Sequence, residues 1–207
     1  VTKENLISQI QMTKTYSAVS TKAFKEKIYE ICPEFKVDKF NKNVLNDIFL
    51  YINGEGNLDS SKGILLWGNI GTGKSTLLKI IAETMRIQGR GFKVVNCPFL
   101  AAEYSNNGME ALNESTWNTV QHGASRPLYR GFDELGREPI PSRYYGNEMN
   151  VMQYVLHCRY DFRQTVKTFA TTNLRPEAIA NMYGEYIFDR IGEMCNFIEL
   201  RGESRRK

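Results

Sequence analysis

The run Gly68-Asn-Ile-Gly-Thr-Gly-Lys74-Ser75 constrains this chain more than any other stretch. It fits the pattern G-x-x-x-x-G-K-[ST] of a phosphate-binding P-loop. A polyphosphate is a dense negative charge that must be approached closely by backbone. Glycines permit that tight turn, so that successive N–H groups form a nest for the oxygens. Residues Gly68, Asn69, Ile70, Gly71, Thr72, Gly73, Lys74, Ser75 and Thr76 are therefore expected to cradle a nucleotide, ATP or ADP. Lys74 would reach the β- and γ-phosphates, and the Ser75 hydroxyl would bind Mg²⁺. Average composition produces such a match in a chain this long about one time in a hundred. The flanks make chance less tenable still. Gly63–Trp67 reads as a short buried strand, and Ser75–Gln88 carries apolar residues at helical spacing. Strand, loop and helix is the context that the motif needs.

The remaining sequence alternates in the same way. Helical patterns are expected over residues 38–53, 98–120 (broken near Asn106-Asn107-Gly108), 147–162 and 175–192. Further strands are expected over 92–97, 128–132, 166–171 and 195–200. Five strands interleaved with helices predict an α/β fold, a parallel sheet covered on both faces, with ligands at the carboxyl ends of the strands. Residues 1–32 are polar and helix-prone, with Phe24, Ile28 and Ile31 on one face. The chain opens on Val1, so an initiator methionine, or more, is expected upstream.

At 207 residues, 42% apolar and 24% charged, the composition suits one soluble domain with an appendage. No apolar run matches a membrane span, and no apolar signal-peptide core is visible. Cys32, Cys97, Cys158 and Cys195 form no C-x-x-C pair, which argues against zinc and suits reduced thiols in a cytoplasmic protein. A net charge of +4 permits nucleic-acid binding without requiring it. His122 and His157 form no pair and read as structural or exposed.

Hydrolysis needs an acid near Mg²⁺, a group that handles the attacking water, and positive charge at the γ-phosphate. Asp133 and Glu134 follow the third strand, as metal ligand and general base respectively. Arg130 makes that strand a poor one to bury unless it escapes or pairs. Asn173 ends the fourth strand, where an amide could hold the lytic water, although Thr-Asn after a strand is also simple turn chemistry. Between Glu134 and Asn147, Arg137, Arg143, Tyr144 and Tyr145 could track phosphates and stack bases of single-stranded DNA. An ordinary loop packed on the next helix would read the same way.

Taken together, these stretches resemble the DnaC/DnaI helicase loaders among the AAA+ ATPases, and their relative IstB, a transposition ATPase. The matching segments are Gly68–Ser75, Asp133–Gly136, Thr171–Leu174, Tyr183–Glu185 with Phe188–Arg190, and Gly202–Arg205. The resemblance implies a P-loop NTPase of AAA+ type, with sheet order 5-1-4-3-2, little or no lid domain, and oligomer-dependent ATP hydrolysis. It implies an ATPase domain over residues 35–207 behind a short helical extension, residues 1–34. By the same analogy Arg190 is an arginine finger offered in trans to a neighbouring copy, and Val37 and Phe40 lie against adenine. Arg205 is either a second sensor arginine or part of a solvated basic tail. The implied partners are a replicative helicase, single-stranded DNA and further copies of the chain, with no membrane. Loaders carry a substantial helicase-binding domain ahead of the ATPase. Here that role would fall to one short amphipathic helix, or to sequence not included. An IstB-like transposition regulator and a nucleotide-dependent adaptor with little turnover are the alternatives.

Overall fold

The structure, a computed structural model, describes residues 17–116, 120–121, 124–125 and 128–205. Five parallel strands form its sheet: β1 (Gly63–Trp67), β2 (Lys93–Asn96), β3 (Arg130–Leu135), β4 (Thr168–Thr172) and β5 (Cys195–Glu199). Their spatial order is β5-β1-β4-β3-β2, the order implied by the resemblance. Strand β1, second from one edge, lies between β4, with Leu65↔Ala170 in register, and β5, with Leu65↔Phe197. The P-loop leaves the carboxyl end of β1 and is thus flanked by the carboxyl ends of β4 and β5.

β1 reads Gly-Ile-Leu-Leu-Trp without alternation because both of its faces are covered. Ile64 and Leu66 face one core with Phe169 and Ile198. It is closed by helices α1 (Thr21–Ile31), α2 (Lys42–Ile52) and α3 (Lys74–Ile87). Leu65 faces the other with Phe132 and Ala170, beneath α4 (Cys97–Asn107), α5 (Val151–Tyr160), α6 (Pro176–Tyr183) and α7 (Glu185–Met194). Phe24 and Ile28 of α1 belong to the first core, and the Asn53 side chain ties Val19 to the end of α2. Three helix starts, those of α1, α4 and α5, are capped by side chains: Ser20, Asn96 and Asn150 accept from the amides three residues on. Among the described residues no helix is long and apolar enough to cross a membrane.

Several boundaries differ from the sequence expectation: the helical stretch expected over 98–120 ends at Leu112, and Val120 lies in a short strand. Asn147–Met149 is not the start of a helix but one strand of a ribbon, paired antiparallel with Ser142–Tyr144. Tyr145 (φ 44°) and Gly146 (φ 82°) form its turn, both central residues having the positive φ of a tight hairpin. Residues 175–192 form two helices, because Gly184 takes φ 87° and ψ 152°, a backbone that breaks the ladder between α6 and α7. Strand β3 runs past residue 132, so Asp133 and Glu134 lie within it, at a register irregularity between Phe132 and Leu135.

Two buried arginines hold the sheet's far end. Arg130 pairs as its burial demands: Nε donates to the Glu114 carbonyl at 2.9 Å, and Nη2 lies 3.8 Å from the Glu114 carboxylate. Arg159 is 1% exposed, with no carboxylate partner among the described residues. Its guanidinium donates to Thr168 Oγ1 (2.8 Å) and to the carbonyls of Ser115 (3.2 Å), Leu128 (3.0 Å) and Lys167 (3.0 Å). Burial pulls it down to about 9, far below an ordinary arginine. Its fork joins α5 to β4 and to the two chain segments that lead to and from residues 117–127. His122 lies outside the described residues.

Candidate nucleotide site

The P-loop keeps its glycines for two physical reasons. Gly68, Gly71 and Gly73 have φ of 138°, 82° and 99°, which other residues adopt only with strain. A Cβ on Gly68 would also lie 2.4 Å from the Leu200 carbonyl oxygen, a clash with backbone that cannot yield. α3 begins directly out of the loop at Lys74, so its N-terminal amides and dipole point at whatever the loop holds. The Lys74 side chain is held inside the loop, its Nζ donating to the carbonyls of Gly68 (2.8 Å) and Asn69 (2.6 Å).

A cavity of about 510 Å³ opens above the loop. Gly71–Leu77 line one wall, Glu134, Arg137 and Thr171–Asn173 a second, and residues from 32 to 41 a third. Ser75, Asp133 and Thr171 meet across three elements. Ser75 Oγ donates to Asp133 Oδ1 at 2.8 Å, and Thr171 Oγ1 donates to the same oxygen at 2.5 Å. The donor set suits Mg²⁺, which takes one or two protein oxygens, adds phosphate oxygens and keeps its waters. No cluster of three or more His, Cys, Asp or Glu side chains suited to a metal exists among the described residues.

Glu134 stands at φ 62°, a left-handed backbone that costs a non-glycine residue about 1 kcal/mol. Its amide donates to Thr171 Oγ1 at 3.0 Å. Both carboxylate oxygens are engaged: Oε2 accepts from Asn96 Nδ2 (3.1 Å) and Oε1 from Arg137 Nη1 (2.7 Å). Asn173 lies on the same wall, in a turn pinned by Thr172 Oγ1, which donates to the Leu135 carbonyl (2.7 Å) and accepts from the Leu174 amide (3.1 Å).

The third wall corrects the sequence reading of residues 35–40. Val37 and Phe40 do not line the cavity; they are 55% and 41% exposed. Asp38 accepts from the Phe40 and Asn41 amides (2.8 and 3.0 Å), while Asn41 bonds Lys36 and Asp38 in return. This turn swings Val37 and Phe40 outward and leaves Phe35, Asp38 and Asn41 facing in. Arg205 is not a solvated tail residue. Its amide donates to the Gly71 carbonyl (2.9 Å), Nη1 donates to the Thr72 carbonyl, and Nη2 donates to Asp38 Oδ2 at 2.7 Å. Partial burial works to raise Asp38. The Arg205 guanidinium and the two amides outweigh it and hold the carboxyl below its usual range.

The residues expected at DNA are dispersed. Arg137 lies over Glu134, Arg143 pairs with Glu148 across the ribbon at 2.7 Å, and Tyr144 packs toward Tyr104 of α4. Tyr145, at the ribbon's turn, is 91% exposed. Arg190 lies on α7, outside the lining of its own chain's cavity, beside Tyr186, Tyr160 and His157. Sequence reasoning missed Asn96. Asn-Cys-Pro at a strand end reads as a helix cap, and it is one, but its other amide atom holds Glu134.

The model of the ATPase family associated with various cellular activities (AAA) matches residues 64–192, well over half of the sequence. The chain belongs to the AAA family. Proteins of this fold bind nucleotide, and the family is one of ATPases. Among solved structures, a candidate primosome component from Streptococcus pyogenes serotype M3 shares 18% identity, covering 91% of this chain and 100% of that one, with a TM-score of 0.62. DnaI shares 21% over 86% and 93%, with a TM-score of 0.61. The DnaC helicase loader shares 13% over 85% and 99%, with a TM-score of 0.59. At these identities the likeness is one of fold. No curated protein matches the sequence at a significant level.

Proposed function

We propose that this AAA protein binds and hydrolyses ATP with Mg²⁺ in the manner of a helicase loader, coupling nucleotide state to self-assembly and to single-stranded DNA. The observation that carries the reading is the convergence of Lys74, Ser75, Asp133, Glu134 and Asn173 around one cavity built on a P-loop. The loop amides and Lys74 would bind the β- and γ-phosphates. Ser75 and Asp133 would hold Mg²⁺, which would supply charge neutralisation for phosphoryl transfer. Asn173 would orient a water in line with the γ-phosphate, and Glu134 would take its proton. Arg190 of a second copy would supply the last positive charge. The engaged Glu134 favours a slow basal rate: each carboxylate oxygen already accepts a hydrogen bond, from Asn96 or Arg137, which weakens it as a base toward water.

Arg137, on the cavity wall, would contact phosphate, and Tyr145, at the exposed turn of the ribbon, would stack a base of single-stranded DNA. The fold likeness to DnaC and DnaI supports a replicative helicase as partner. The test is ATP turnover against protein concentration, with and without single-stranded DNA. Specific activity that rises with concentration and shifts with DNA supports the proposal. A flat, DNA-blind rate would leave a nucleotide-dependent adaptor with little turnover, and a preference for duplex DNA would favour the IstB-like alternative.

A further inference from the structure

Arg190 does not extend freely into solvent. On α7, Tyr186 stands one turn earlier, and the guanidinium carbon lies 4.0 Å from its ring centroid. On α5, Tyr160 presents a second ring at 4.3 Å. Nη1 of Arg190 lies 2.8 Å from His157 Nδ1, and Nη2 donates to the Tyr186 hydroxyl. The second ring is itself anchored. The Tyr160 hydroxyl donates to Glu193 Oε2 at 2.9 Å, and Arg163 covers the ring at 3.8 Å while pairing with Glu193 at 3.1 Å. None of these residues lines the nucleotide cavity of its own chain.

A surface arginine samples many rotamers, and it loses that freedom when it engages a phosphate. Aromatic contacts with the guanidinium remove much of the freedom beforehand. Beyond the N–H groups turned to His157 and Tyr186, three of the five guanidinium donors remain for phosphate oxygens. An aromatic ring attracts the cation without neutralising it, whereas a carboxylate partner would compete directly with phosphate. Among the described residues, no carboxylate pairs with Arg190, although Glu193 pairs with the neighbouring Arg163. We infer that Tyr160 and Tyr186 are positioning residues that hold Arg190 as a preset cation for the nucleotide phosphates bound by a second copy of this chain. The inference rests on the reading of Arg190 as a trans group.

Mixing of variants tests it. Glu134→Gln keeps Arg190 but lacks the base, and Arg190→Ala keeps the base but lacks the cation. Each is expected to be nearly inactive alone, while the mixture regains turnover at interfaces that combine Arg190 of the first with Glu134 of the second. Adding Tyr160→Leu or Tyr186→Leu to the Glu134→Gln donor should lower that regained rate about fivefold to fiftyfold, the range expected for a misplaced catalytic cation. Nucleotide affinity of the donor should not change, and the phenylalanine variants, which keep the rings, should recover most of the rate. The same leucine substitutions on the Arg190→Ala acceptor should have no comparable effect, because that chain has no cation left to position. Equal losses from donor and acceptor would mean that the tyrosines only pack α5 against α7, and the inference would be wrong. An undiminished rate with the leucine donors would overturn it too. If the mixture shows no activity while the unsubstituted protein turns over ATP, the trans reading fails and takes this inference with it.

Discussion

Two of the three walls of the nucleotide cavity are built in opposite ways. The P-loop wall comes from eight contiguous residues whose glycine backbone and helix start create the phosphate nest locally. The facing wall draws on Asn96, Asp133, Glu134, Arg137, Thr171 and Asn173, from three strands and the loops that leave them. The first wall can hold a ligand wherever strand, loop and helix form. The second works only when the sheet is in register, and its key carboxylate is restrained by two neighbours. On the proposed reading, phosphate binding would rest mainly on one segment and turnover on the assembled fold. Substitutions on the two walls should therefore separate affinity from rate.

The largest effect is expected at Glu134. Glu134→Gln should lower turnover about 10²- to 10⁴-fold, as for a lost general base, with ATP affinity retained; rate assays paired with titration of a fluorescent nucleotide would show it. Equal losses of affinity and rate would place Glu134 in the binding wall instead. Arg159→Leu should come next, through the fold rather than the site. It strands the carbonyls of Ser115, Leu128 and Lys167 inside the protein, at a cost of about 3 kcal/mol, read in a denaturant titration. A smaller change of opposite sign is expected at Arg137. Arg137→Ala should raise basal turnover several-fold, about 1 kcal/mol, by freeing one carboxylate oxygen of Glu134. The smallest effect should come from Arg205→Ala, which opens the clasp between Asp38 and the P-loop. A shift of about threefold in nucleotide affinity, with little change in rate at saturation, would match the modest worth of a partly exposed ion pair.

Much of this contrast was legible before the structure. The P-loop and its flanking strand and helix could be read residue by residue, because the motif is contiguous and its chemistry is backbone chemistry. Strand β1 was placed without error at Gly63–Trp67, its apolar run being bounded by a loop on each side. The helix expected from residue 147 was wrong because Asn-Glu-Met has no apolar face of its own, and the hairpin turn at Tyr145-Gly146 was not recognised. The break at Gly184 was missed because apolar spacing continues on both sides of it. Arg137 reads as a DNA contact from its neighbours in sequence, while its bond to Glu134 is not legible there because it depends on a left-handed residue inside a strand. The family resemblance sets Val37 and Phe40 against adenine, and only the Asp38–Asn41 turn shows that they face outward. Side chains that act through tertiary contacts leave no periodic trace.

The most direct test of the account is steady-state ATP turnover by Arg137→Ala, by Glu134→Gln and by the double variant, each with its nucleotide affinity measured. The account predicts a faster Arg137→Ala protein with unchanged affinity, and a double variant as slow as Glu134→Gln alone. A double variant that keeps the faster rate would show that Arg137 does not act through Glu134, and would contradict the assignment of Glu134 as the restrained base.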